Sequence, residues 1–231
     1  MCAIVGITIK GITPEQEIRV DRLIREARIR GKHATGVSYI QNGVLKSIKE
    51  PIPADEFMDK YTLDHFMDID GWKRDLTMIV HCRYSTSDLQ YNQPFYNNSL
   101  SVIHNGVISQ ELPENWERLY GYKCETKNDS ELLFHTVTAG KSPLKVWHES
   151  SIAAIELYPN RNIRFYRNGR RPLHLTAVDN GYIITSTKDI VKRAKFDIKD
   201  HNKVPAGAYC TLDKDFVMMI EESGVKINDL Q

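Results

Sequence analysis

CAIVGITIK, residues 2–10, is an alternating apolar run rich in β-branched residues, led by a cysteine that only the initiator methionine precedes. Such a run reads as a strand. Removal of Met1 gives Cys2 a free α-amine beside its thiol, so one residue carries a nucleophile and a candidate general base. A strand that opens on a reactive residue needs support from the rest of the chain.

Outward from it, PEQEIRVDRLIREARIRG (14–31) predicts a helix opened by Pro14 and closed by Gly31, with Val20, Leu23, Ile24 and Ala27 on one face. Residues 34–50 predict a hairpin turning at Asn42-Gly43, and 53–69 a mostly helical excursion. Strands are expected around TMIVHCRYS (77–85) and SLSVIHNGVIS (99–109), and helices at 111–120 and 129–139. A run of strands follows in IAAIELYP, IRFYRNG, PLHLTAVDN and GYIITST, then a short helix at 187–195 and a β segment around 205–220. Strands in runs with helices between the runs predict an α+β layered domain.

Composition bounds the function. The chain has 231 residues, 41% hydrophobic and 26% charged, enough for a buried core, and a single domain spanning 1–231 is expected. A formal charge of +1 gives no sign of nucleic acid or an anionic membrane as partner. Cys2, Cys82, Cys124 and Cys210 form no CxxC pair, so neither a metal site nor a disulfide is expected, and no cofactor is implied. No stretch has the length of a membrane span or the layout of a signal peptide, so a cytoplasmic location is expected.

Four short stretches admit an ordinary reading beside a chemical one. Asn105-Gly106 in VIHNGVIS has the form of a hairpin turn. His81 and Arg83 in HCRYSTSD fit a strand end with a surface arginine. Asp129 in KNDSELLFH suits a helix N-terminus, and a cysteine in second place is often only a small buried side chain.

Their order resembles one family. Met-Cys leading into a strand, RGKHATG (30–36), HCRYSTS (81–87), NQPF (92–95), VIHNGVIS (102–109), NDSE (128–131) and RRPLHL (170–175) are similar to the glutaminase domain of class II glutamine amidotransferases, which are N-terminal nucleophile hydrolases. The resemblance implies a four-layer αββα sandwich with Cys2 at the start of a central strand. It implies that Cys2 attacks the side-chain amide of L-glutamine, its own amine handling the proton, and that Asn105 and the Gly106 backbone N–H hold the oxyanion, as a tight Asn-Gly turn could. Arg83, helped by Thr86, would clamp the α-carboxylate and Asp129 the α-ammonium. Departures from the family pattern are Ala3 after the nucleophile, His33 in RGKH, Ser87 and Asp88 after HCRYST, and Gln93 in NQPF. With no synthase domain expected within 1–231, the favoured reading is a glutaminase that feeds ammonia to a separate synthase protein. The alternatives are a standalone γ-glutamyl amide hydrolase and a non-catalytic scaffold or regulatory subunit of the same fold.

Overall fold

Alternation decides how β1 (Ala3–Ile9) is used: Ala3, Val5, Ile7 and Ile9 point to one side of their sheet and Ile4 to the other, and all are buried. The computed structural model describes residues 2–84, 89 and 91–225. After β1 come α1 (Pro14–Glu26), β2 (Ala34–Gln41), β3 (Val44–Glu50), α2 (Ala54–Lys60), β4 (Asp68–Asp70), β5 (Lys73–Arg83), β6 (Phe95–Asn97) and β7 (Leu100–Val107). The remaining elements are α3 (Trp116–Tyr120), α4 (Ser130–Thr138), α5 (Pro143–Val146), β8 (Ser151–Leu157), β9 (Ile163–Arg167), β10 (His174–Val178), β11 (Gly181–Thr185), α6 (Lys188–Arg193), β12 (Asp200–Lys203), β13 (Ala208–Leu212) and β14 (Met218–Glu222).

The strands form two antiparallel sheets. One runs β12-β10-β11-β1-β5-β2-β3, with β4 added on β5, and the other runs β14-β13-β9-β8-β7-β6. Between them lies an apolar layer that includes Ile4, Ile79, Ile103, Ile155, Phe165 and Ile184. Outside the first sheet, β1 and β5 pack on Val20, Leu23 and Ile24 of α1, Phe57 of α2 and Ile190 of α6. Outside the second, Val102, Ile152 and Tyr166 pack on Leu132 and Leu133 of α4, Trp116 and Trp147. The layers are therefore α, β, β, α, as the resemblance implies, and β1 lies between β5 and β11 in the interior of its sheet. Ala3 is fully buried, and its methyl packs on the helix side, away from the inter-sheet face.

Several local expectations change. Thr13 caps α1 reciprocally with Gln16, but the helix gives way to a 3₁₀ turn at Ala27–Ile29 before Gly31. A Cβ at Gly31 would meet Cys82 O at 1.9 Å, so that glycine serves close approach to β5. Asn42-Gly43 is a hairpin turn, both residues at positive φ (54° and 71°). Asn105-Gly106 is not: both residues lie within β7, opposite Ala153 and Ile152 of β8. β6 and β12 are additional strands, β12 pairing with β10 as an edge.

Candidate active site

The sheet period carries the sequence-predicted residues to one end of the sandwich. On β5, Ile79 faces the inter-sheet layer, so His81 and Arg83 share that face; on β7, Ile103 does, so Asn105 shares it too. Cys2 extends β1 on the side of Ile4. A cleft of about 350 Å³ is lined by Cys2, Arg83, Tyr84, Gln93, His104, Gly106, Asn128 and Asp129, among others. Four of the predicted residues, Cys2, Arg83, Gly106 and Asp129, thus meet in one cavity. Asn105 adjoins it in the chain, and Thr86 lies outside the described residues.

The start of β1 is held from three sides. Ile4 N–H donates to Ser186 Oγ at 3.3 Å, Ser186 N–H donates to Ile4 O at 3.1 Å, and Arg30 Nε donates to the Cys2 carbonyl at 3.3 Å. Arg30 belongs to the RGKHATG stretch, but no site role was expected of it. Burial lowers its pKa, opposed by the attraction of Cys2.

β7 supplies two donors at the same end. Asn105 is 3% exposed, and its side-chain Nδ2 is buried without a hydrogen-bond partner among the described residues. Leaving a buried amide N–H unpaired is costly, so the group is poised for an acceptor that the described residues do not provide. Gly106 stands opposite Ile152, whose N–H donates to Asn168 Oδ1 and whose carbonyl accepts from Asn168 N–H. The antiparallel alternation therefore turns the Gly106 N–H away from β8, to the edge where His104 N–H donates to Gln93 Oε1 at 2.6 Å. A Cβ at Gly106 would lie 1.7 Å from Ser151 O and 2.6 Å from His104 Nε2, so only glycine fits. The donor pair is presented by a strand end rather than by a turn.

Gln93 explains how that strand end stays in place. Besides accepting from His104, its amide donates to His104 O (3.1 Å) and to Ser130 Oγ (3.0 Å), pairing with β7 as a missing strand would. His104 bridges Ser130 Oγ through Nδ1 and Ser151 O through Nε2. The carbonyl accepts only, so Nε2 carries the proton and Nδ1 accepts from the hydroxyl. Burial lowers the His104 pKa, and burial followed by the nearby Arg83 charge lowers that of His81 to about 3. Both imidazoles are neutral at physiological pH.

Asp129 does not cap α4 with its side chain. Its Oδ2 instead accepts from the backbone N–H groups of Ile108 (2.6 Å) and Ser109 (3.2 Å), while Oδ1 has no hydrogen bond among the described residues. Asn128 takes the turn-forming role, accepting from Ser130 N–H at 3.1 Å, and donates to Tyr91 O at 2.8 Å. Arg83 Nη1 donates to the same carbonyl, so the segment before Gln93 ties Arg83 to Asn128, the neighbour of Asp129. His33, a departure noted in the sequence, sets its ring against Tyr84 with centroids 4.9 Å apart, and its backbone N–H donates to Arg83 O at 3.0 Å.

No family model matches the chain. It is 28% identical over 141 residues to 7-cyano-7-deazaguanine synthase of Saccharolobus solfataricus, covering 58% of this chain and 29% of that protein. It is 25% identical over 154 residues to glutamine–fructose-6-phosphate aminotransferase (isomerizing) of Bartonella henselae, covering 62% and 23%. The chain thus spans under a third of the length of either curated relative. Among solved structures, glutamine phosphoribosylpyrophosphate amidotransferase from B. subtilis, complexed with ADP and GMP, has a TM-score of 0.69 at 18% identity, covering 97% of this chain and 50% of that one. A structure described as the allosteric regulatory enzyme of purine biosynthesis has a TM-score of 0.72 at 19% identity, covering 98% and 50%. Among the described residues, no helix is long and apolar enough to cross a membrane.

Proposed function

We propose, for a chain that resembles the class II glutamine amidotransferases in sequence and shares the N-terminal nucleophile hydrolase fold of their solved structures, that it hydrolyses L-glutamine to glutamate and ammonia through Cys2. The observation that carries this reading is the unpartnered, buried Asn105 Nδ2 beside the Gly106 N–H, at the end of the sandwich where Cys2 opens its strand. Two adjacent donors without an acceptor of their own suit an oxyanion that exists only during reaction.

In this mechanism the α-amine of Cys2, free once Met1 is removed, takes the thiol proton as sulfur attacks the amide carbon of glutamine. Asn105 and Gly106 donate to the resulting oxyanion. Its collapse breaks the C–N bond, the α-ammonium returns its proton to the leaving nitrogen, and ammonia departs from a glutamyl thioester. Water then attacks the thioester carbon, the amine accepts a proton from it, and glutamate and the thiol are regenerated. Arg83 and Asp129 carry the opposite charges that the α-carboxylate and α-ammonium of the substrate require, Thr86 assists Arg83, and no metal or cofactor enters a step. Ammonia passes to a synthase that consumes it, here taken to be a separate protein.

A second reading, a γ-glutamyl amide hydrolase, is favoured by one observation. A further cleft of about 580 Å³, with Arg170, Arg171 and His148 in its wall, shares Val107, Ser109 and Glu111 with the first and gives room for an amide substituent. The test is glutamate release from glutamine and from N-substituted γ-glutamyl amides, with ammonia or the free amine as co-product, by the purified protein titrated with a candidate synthase and its acceptor. Partner-stimulated glutaminase activity is expected. Turnover confined to substituted amides would select the second reading, and silence on every substrate would leave a non-catalytic scaffold.

A further inference from the structure

α4 and the loop that precedes it hold a second group of donor atoms, outside the cleft. Glu131 and His135 are four residues apart on α4 and so share a face. Cys124 comes against them from the preceding loop, and a thiol, a carboxylate oxygen and a ring nitrogen from the three lie within 4.8 Å of one another.

Two of these groups are incompletely satisfied. Glu131 is 5% exposed; its Oε1 accepts from Glu125 N–H at 2.8 Å, and its Oε2 from the N–H and hydroxyl of Thr126 at 2.8 and 2.6 Å. Oε1 therefore keeps an accepting lone pair, and among the described residues no lysine or arginine forms an ion pair with this buried carboxylate. His135 Nε2 stands 3.6 Å from Oε1, too far for a hydrogen bond, and this buried nitrogen has no hydrogen-bond partner among the described residues. Tyr122 stacks on the imidazole at 5.7 Å and walls that side.

The separation is about an ångström wider than that of atoms sharing an ion. Bonds of roughly 2.0–2.3 Å in tetrahedral geometry put N, O and S donors about 3.3–3.6 Å apart, so the group closes on a cation with an ångström or so of side-chain movement. We infer that Cys124, Glu131 and His135 bind a divalent cation of the zinc class, with the fourth position left to water. Thiolate and imidazole favour zinc over magnesium or calcium, which take oxygen donors. On binding, the Cys124 thiol gives its proton to solvent as the metal–sulfur bond forms. No cysteine pair marks the site in the sequence, because each donor is of a different type. The ion would fasten residues 122–126 to α4, two residues beyond Asp129.

Cobalt(II) is the probe, added to the purified, metal-stripped full chain. One ion per chain is expected, with the intense visible bands of a tetrahedral site and a sulfur-to-cobalt charge-transfer band. C124S should lose the charge-transfer band and H135A should weaken binding at least tenfold, each with an unchanged circular dichroism spectrum, while C2A should bind as the parent does. Zinc should displace the cobalt. Absence of one-to-one binding would overturn the proposal, as would a charge-transfer band that survives C124S or disappears in C2A.

Discussion

Asn105 is the residue on which the proposed chemistry turns. If its unpartnered amide serves the transition state, Asn105→Ala lowers kcat by roughly 10²–10³ with a smaller change in KM. Arg83→Ala should chiefly raise KM, by an amount corresponding to about 1–3 kcal/mol, because the charge it meets is on the substrate from the start. Steady-state kinetics on the two variants separates an oxyanion donor from a clamp; equal losses in kcat would reject the division. Cys2 sets a further test: intact mass should show the mature chain without Met1, and Cys2→Ala should be folded and inactive. Full activity in protein that retains Met1 would exclude the amine as base. The sequence singled out Cys2, Arg83 and Asp129, which line the cleft, because their types are distinctive. It did not show Arg30, Gln93 or Asn128, whose work is done by hydrogen bonds to backbone distant in the chain.

At the scale of elements, the same dipeptide took two conformations. Asn42-Gly43 turns because β2 and β3 pair on either side of it, whereas Asn105-Gly106 runs straight because β8 lies alongside and Ser151 leaves room for no side chain. Local propensity could not tell these apart; the partner strand decides. β12 was illegible for a related reason: DHNK is polar, presents no apolar face, and joins its sheet through backbone pairing. Pairing also confines His81 on β5 against β1 and β2, with a thermodynamic result. Its folded-state pKa of about 3 lies below the ordinary 6.5, so between those values the unfolded chain holds the extra proton. Stability therefore falls as pH drops from 6.5 toward 3, by about 1.4 kcal/mol per pH unit for one fully linked proton. His104 is shifted in the same direction. Denaturant titrations across this range should show a shallower slope for His81→Gln than for the parent.

The whole molecule has two unlike ends. β1 leads from Cys2, just before it at the cleft, to Lys10, just after it at the other end, where Lys10 pairs with Asp215 at 3.1 Å across the sheets. There Arg161, on the β8–β9 connection of the second sheet, also reaches Asp75 and Asp68 of the first, with Asp75 at 3.0 Å. Both aspartates are largely buried, so Arg161→Ala leaves two carboxylates without their shared cation. A loss of about 1–3 kcal/mol in denaturant stability is expected, with KM for glutamine unchanged because the cleft is a strand length away. The layered class was readable from strands in runs with helices between them; which end would be cross-linked was not, since Arg161, Asp68 and Asp75 carry no mutual signal along the chain.

The cleft end divides its parts between the sheets: Cys2 and Arg83 stand on the first, Asn105 and Gly106 on the second, with Asp129 joined to the chain just beyond β7. An amino acid seated there would touch both halves and act as a removable rivet for the fold. Glutamate, the product of the proposed reaction, should then raise the melting temperature even though it undergoes no reaction. At a hundred times its dissociation constant, mass action gives about 2.7 kcal/mol of added stability. That increment should vanish in Arg83→Ala and persist in Arg161→Ala.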